Sequence, residues 1–218
     1  MYQISVQLPF NGFHVKGKIT LPVQANSLII FSHGYGLSKL MVHEHRLALE
    51  FQQAGFGTLV LDLLDEHDEL PIKYKDIDLL SKGLVTSTNW LSSHSEYRSL
   101  NLAYFGSGTG SAAAVNAASE LGSIIKTIVS LSGRLNLCSK NLVKIKCPVL
   151  LLTGEMDFKT VNINQNAIKY LKPNKQLAIV PGASHMFEEA DKLNEAANIT
   201  LSWFKKHLSW DKSKASTF

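Results

Sequence analysis

Cysteine is scarce in this 218-residue sequence, which contains only Cys138 and Cys147. Their spacing matches no zinc or redox motif, and two cysteines are too few for a disulfide scaffold, so we expect two reduced thiols. No apolar run approaches the ~20 residues of a membrane-spanning helix. The first residues also lack the charged start and apolar stretch of a signal peptide. The resulting expectation is a cytoplasmic protein that does not bind membranes.

Strong charge of either sign is also lacking, since the net charge is only +4 and charged residues make up 18% of the chain. The lysines are scattered rather than collected on a basic helix or an aromatic stripe, so no nucleic-acid partner is expected. His43 and His45 lie two positions apart and do not share a helix face, so we expect neither a metal site nor a cofactor. Hydrophobic residues make up 45%, which is enough for a full buried core.

The pattern of apolar residues predicts alternating strands and helices after an initial hairpin. Residues 2–8 and 13–21 predict an antiparallel strand pair that turns at Asn11-Gly12. Further strands are predicted at residues 27–32, 57–63, 102–105, 125–131, 148–153 and 176–180, and helices at 41–54, 76–91, 111–118, 164–171 and 190–208. Such repeats predict an α/β fold: a mostly parallel twisted sheet with helices on both faces. Since no linker divides the chain, we expect one domain over residues 1–210, followed by a polar tail at 211–218.

A glycine-rich turn follows the predicted strand at 102–105. The segment Gly106-Ser107-Gly108-Thr109-Gly110 lies between that strand and a helix of small residues. This is the frame of the nucleophile elbow, G-x-S-x-G, which holds a nucleophilic side chain at the start of a helix. The middle position is Gly108, which has no side chain.

Three other strand ends carry residue types that a hydrolase needs. His33-Gly34-Tyr35-Gly36 follows the strand at 27–32, and the backbone N–H of Tyr35 is predicted to form an oxyanion hole with that of Thr109. Asp157 follows the strand at 148–153, and His185 follows the strand at 176–180. In the chain order nucleophile, acid, base, Asp157 would orient the imidazole of His185, which would act as a general base and acid.

Each of these signals also has a simpler explanation. An aspartate after a strand is usually a turn former, and a single loop histidine is usually solvated or structural. The elbow segment could bind a phosphate at the helix N-terminus. It matches neither G-x-x-x-x-G-K-[ST] nor the full G-x-G-x-x-G pattern with its acidic partner, however. The three signals together, in the right order, favour the hydrolase interpretation.

Six segments, taken together, resemble the dienelactone hydrolase-like family of α/β-hydrolases. They are FSHG (31–34), TLVLDLL (58–64), YFG (104–106), TG (109–110), LLTGEMD (151–157) and VPGASHMFE (180–188). The resemblance implies hydrolysis of carboxylic esters or lactones by a triad of serine or cysteine with Asp157 and His185. Its nucleophile position falls on Gly108 without a gap, so the fold carries over more safely than the activity. A small ester, lactone or carboxylate is the implied ligand.

Several functions therefore stay open on the sequence. The first is a hydrolase whose chemistry is impaired by Gly108, and the second is a binding module on the same scaffold. The third is an active esterase that uses Ser107, Thr109 or a water activated by His185. Ser107 would place the large Phe105 beside the tight turn, and Thr109 should start the helix. The sequence also leaves open whether Gly108 replaced a natural serine, what the substrate is, and the oligomeric state.

Overall fold

A computed structural model describes residues 1–10, 13–33, 38–62, 76–172 and 174–208. Over these residues the strands are β1 Tyr2–Phe10, β2 Phe13–Leu21, β3 Ser27–His33, β4 Gly57–Asp62, β5 Asn101–Ser107, β6 Ile125–Leu131, β7 Val149–Gly154 and β8 Lys175–Val180. The helices are α1 Ser38–Gln53, α2 Ile77–Ser93, α3 Thr109–Leu121, α4 Ser139–Leu142, α5 Phe158–Ala167 and α6 Lys192–His207.

All eight strands form one sheet in the order β1-β2-β4-β3-β5-β6-β7-β8. The pairs β1–β2 and β2–β4 are antiparallel, and every other neighbouring pair is parallel. This confirms the predicted mostly parallel sheet with an N-terminal antiparallel hairpin. The ends of β5, β7 and β8 meet at one edge of the sheet, because parallel strands share their direction.

Alternate residues of the central strands face two separate cores. In β3, Leu28 and Ile30 pack in the cluster that contains α2 and α3 residues. Their neighbours Ile29 and Phe31 pack in the opposite cluster, with residues of α1 and α6. Successive side chains of a strand point to opposite faces, so a continuous apolar run fits a sheet covered on both sides. Helices on both faces are thereby confirmed.

The start of α5 differs from the prediction. The helix expected at 164–171 begins instead at Phe158, and residues 168–170 form a 3-10 turn. Asp157 caps it, because its carboxylate accepts the Thr160 N–H at 3.1 Å. The apolar pattern hid this start because Phe158 is 74% exposed.

The structure bears on some of the smaller expectations from the sequence and not on others. Cys138 and Cys147 are both free and buried, and burial raises the pKa of each thiol to about 12. No helix among the described residues is long and apolar enough to cross a lipid bilayer. The turn Asn11-Gly12 and the tail at 211–218 lie outside the described residues.

Candidate active site

The turn from β5 to α3 has the backbone geometry of a nucleophile elbow. Gly108 lies between them with φ 52° and ψ −120°. Its N–H donates to the Leu131 carbonyl at 3.1 Å, and its own carbonyl accepts the Arg134 N–H at 3.0 Å. The turn is therefore tied on both sides to the segment that leaves β6. A positive φ of this kind strains any residue with a side chain and favours glycine.

A side chain at position 108 would enter open space. A Cβ built on Gly108 meets no heavy atom of the described residues within 4 Å. At Gly106, by contrast, a Cβ would lie 2.7 Å from the Cα of Ser111. Gly106 therefore allows α3 to approach the strand closely, whereas the described residues leave room for a side chain at position 108.

Asp157 and His185 form a hydrogen-bonded pair at the same edge of the sheet. The Nδ1 of His185 lies 2.5 Å from Oδ2 of Asp157. Burial works to raise the pKa of Asp157, but the hydrogen bonds from Thr160 and His185 outweigh it and lower that pKa. An ionised Asp157 accepts a hydrogen bond from the Nδ1–H of His185, which would leave Nε2 as the nitrogen that acts as a base.

The loop that carries His185 is fastened by residues that the sequence did not reveal. Ser132 Oγ donates to the carbonyl of His185 at 2.9 Å. The Glu189 carboxylate accepts the Ser184 N–H at 2.9 Å, and the Glu155 carboxylate accepts the Gly182 N–H at 2.8 Å. Their positions could have marked two of these residues, because Ser132 directly follows β6 and Glu155 directly follows β7. These contacts hold the imidazole against Asp157.

Ser107 and Thr109, considered as substitute nucleophiles, lie on either side of the elbow. The Ser107 hydroxyl is buried and donates to Glu44 Oε1 at 2.5 Å, so its described partner is Glu44 rather than His185. Thr109 is the first residue of α3, as expected, and the first N–H groups of a helix have no partner within the helix. The Thr109 N–H therefore stays the predicted oxyanion donor. Tyr35, the other predicted donor, lies outside the described residues.

A small cavity of about 20 Å³ joins the elbow to the histidine. Its lining includes Gly108, Ser132, His185 and Glu44. A volume of this order holds roughly one water molecule. Among the residues that the structure describes, no group of three or more histidine, cysteine, aspartate or glutamate side chains is arranged to hold a metal ion.

The sheet, the elbow between β5 and α3, and the order of Asp157 and His185 define an α/β-hydrolase. A family model described as "Dienelactone hydrolase family" matches residues 15–210, and the chain belongs to that family.

Solved structures agree with this assignment. The dienelactone hydrolase from Anabaena variabilis is 34% identical, with a TM-score of 0.90 over 95% of this chain and 99% of that protein. Est1E from Butyrivibrio proteoclasticus is 14% identical, with a TM-score of 0.78 over 93% of this chain and 98% of that one, and this likeness supports the fold alone.

A curated relative from Mycobacterium tuberculosis has a different name. The protein called "Putative phosphoribosyl transferase" is 34% identical over 204 residues, which is 93% of this chain. The match covers 46% of that protein, so this chain spans about half the length of its curated relative.

Proposed function

We propose that this chain is a hydrolase-type binding protein for small esters, lactones or carboxylates, with hydrolysis impaired by Gly108. The observation that supports the proposal is the contrast within one site. Oδ2 of Asp157 lies 2.5 Å from Nδ1 of His185, which is the arrangement of an acid–base pair. The backbone turns sharply at Gly108 between β5 and α3, yet position 108 has no side chain. This contrast supports a site that would still bind a carbonyl compound but has no side chain at position 108 to attack it.

The size of the expected impairment follows from enzymes with the same chemistry. Removing the nucleophile of a serine protease costs about 10⁶-fold in turnover. The oxyanion hole and substrate binding still give about 10³–10⁴-fold over water. An ester should thus bind this chain with its carbonyl near the Thr109 N–H and be hydrolysed slowly.

The cavity beside Gly108 favours a second candidate. A water molecule in its roughly 20 Å³ would lie against His185 in place of a serine hydroxyl. Nε2 of His185 would take one proton from that water as the water oxygen attacks the ester carbonyl. The proton would then pass to the leaving alkoxide, which gives a carboxylic acid and an alcohol without a covalent intermediate.

The name of the Mycobacterium tuberculosis relative does not change the proposal. The match covers less than half of that protein, so the name of the whole protein does not by itself describe the matched part. The dienelactone hydrolase model covers most of this chain. An acid–base pair beside an elbow suits attack on a carbonyl, which is the chemistry proposed here.

Hydrolysis of p-nitrophenyl butyrate tests the two candidates together. The unmodified chain, Gly108→Ser, Gly108→Ser with His185→Ala, and His185→Ala are assayed in parallel. The proposal predicts that Gly108→Ser is at least about 100-fold faster than the unmodified chain and that His185→Ala abolishes the gain. No gain in a folded Gly108→Ser would contradict it. Turnover in the unmodified chain that His185→Ala removes would favour the water mechanism instead.

A further inference from the structure

A second, larger cavity lies away from the elbow, beside α1. It is a groove of about 440 Å³ between α1 and the outer strands of the sheet. Cavities that hold small organic ligands measure about 300–1,000 Å³. Glu44 lines both this groove and the small cavity at the elbow, so the two spaces are neighbours.

The groove exists because β1 and β2 extend the sheet beyond α1, the helix that covers the sheet on this side. On the opposite face, Leu8, Val15 and Ile19 of β1 and β2 pack in the core with α2. Among the described residues, neither β1 nor β2 contributes a buried side chain to the core cluster of the α1 face. Most of their residues on that side are polar and exposed, including Ser5, Lys16 and Lys18, whereas Thr20 is buried.

The walls of the groove combine two lysines with apolar surface and with one carboxylate, that of Glu44, which accepts the Ser107 hydroxyl on the elbow side. Lys16 and Lys18 are two positions apart on β2, so their side chains share one face and start roughly 7 Å from each other. Ala48 and Leu49 of α1 and Val60 of β4 supply the apolar lining. Leu49 is 55% exposed, so its side chain presents apolar surface to the groove.

We propose that this groove binds small organic anions that carry an apolar body. The two ammonium groups can hold the oxygens of one carboxylate, phosphate or sulfonate, while the body lies along Leu49 and Val60. The aliphatic stems of the two lysine side chains can also cover apolar surface, which suits an amphipathic ligand. This inference concerns a different cavity from the elbow and stands or falls independently of the proposed hydrolysis.

The test is a fluorescence titration with 8-anilinonaphthalene-1-sulfonate, an anion with an aromatic body. Lys16→Gln with Lys18→Gln should weaken its binding by about fivefold or more, because two exposed charge contacts are lost. Leu49→Gln should weaken it by about threefold through the lost apolar contact. Octanoate should displace the probe, since its carboxylate and chain present the same chemistry.

Lys144→Gln with Lys146→Gln is the matched control. It removes the same charge at the same spacing from exposed lysines that do not line the groove. The proposal predicts less than a twofold change in this control and in His185→Ala. Equal weakening in both lysine pairs would overturn the groove as the site and indicate general charge attraction. Loss of binding in His185→Ala, or no binding at millimolar probe, would also overturn it.

Discussion

At the scale of single residues, two glycines share one unusual conformation at opposite ends of α3. Gly108 has φ 52° and ψ −120°, and Gly122 has φ 60° and ψ −120°. A residue with a side chain held there costs about 1–3 kcal/mol. An active elbow bears that strain for its nucleophile, and this chain avoids it.

Adding a side chain at position 108 should therefore destabilise the fold. Gly108→Ser is expected to lower the free energy of unfolding by about 1–3 kcal/mol, measured by urea denaturation. Gly122→Ser is the matched control, since a Cβ there also meets nothing within 4 Å. It should lose a similar amount of stability and gain no esterase activity. A Gly108→Ser variant more stable than the parent would contradict this interpretation of the turn.

The Asp157–His185 contact predicts a dependence of stability on acid pH. The pKa of Asp157 is lower in the fold than its ordinary value of 3.8. A carboxyl of this kind stabilises the fold above the unfolded-state pKa, and the contribution is lost as pH falls through the folded-state value. Urea unfolding between pH 2.5 and 6, values spanning roughly that transition, should show a stability gap between the parent and Asp157→Asn that closes below about pH 4. A stability difference between parent and Asp157→Asn that stays constant over this pH range would contradict the lowered pKa of Asp157.

The residues that the sequence revealed and those it missed differ in the range of their contacts. Asp157 and His185 could be predicted because each follows a strand whose apolar run is visible. Ser132 supports His185 across 53 positions, and Glu44 meets Ser107 across 63. Such pairs depend on which strands are neighbours in the sheet, and the local pattern holds no information about that order.

At the scale of elements, the strand β6 was predicted more accurately than the helix α5. The strand β6 has the predicted bounds Ile125–Leu131, because its whole apolar run is buried between two helix layers. α5 begins six residues earlier than predicted, because the Asp157 cap sets its start. Capping is a local polar effect that an apolar stripe does not report.

The last turn of α6 predicts a second dependence on pH. His207 packs against Trp203, with ring centroids 4.2 Å apart and the rings tilted by 50°. Burial, aided by nearby Lys206, lowers the pKa of His207. The unfolded chain therefore binds this proton more readily, so stability should rise as pH increases through the ordinary histidine range. Urea unfolding from pH 5 to 7.5, values around the ordinary pKa of roughly 6.5, should show a smaller rise in His207→Phe.

His94→Phe is the control for this experiment. It likewise removes a histidine that packs against a tryptophan four residues earlier, with centroids 3.7 Å apart, but His94 is exposed. An equal change in the pH dependence of the unfolding free energy in both variants, or no change in His207→Phe, would contradict the role of the half-buried His207 ring.

At the scale of the whole molecule, one aromatic group joins the helices of the α1 face to the sheet. Phe51 of α1 lies 5.9 Å from Phe31, 5.6 Å from Phe105 and 5.6 Å from Phe204, measured between ring centroids. The four rings connect α1, α6 and two central strands, and all are buried. They thus couple the packing of two helices to the strand that ends in the elbow.

Removing the central ring should destabilise the whole fold. Phe51→Ala is expected to lower the free energy of unfolding by about 3–5 kcal/mol, through lost burial and the cavity left behind. Phe51→Leu should cost less, because it keeps most of the volume. Urea denaturation followed by circular dichroism measures both. A cost below about 1 kcal/mol for Phe51→Ala would show that the cluster is not central to the fold.

The architecture was the most predictable level of this molecule. Alternating apolar runs and helical stripes predicted a doubly covered sheet, because those patterns follow directly from burial on two faces. The groove beside α1 was not predictable, since it depends on how far the hairpin extends the sheet past that helix. Function lies between the two: the position of the candidate site follows from the fold, whereas the proposed loss of hydrolysis rests on the missing side chain at position 108.

Covalent labelling at position 108 tests the central claim most directly. An alkyl fluorophosphonate reacts when an activated hydroxyl oxygen attacks phosphorus and fluoride leaves, and intact-protein mass spectrometry detects the added phosphonyl group. The account predicts labelling of Gly108→Ser at the introduced hydroxyl, loss of labelling when His185→Ala is added, and no labelling of the unmodified chain. Labelling of the unmodified chain at Ser107 or Thr109, or a folded Gly108→Ser that stays unlabelled, would contradict it.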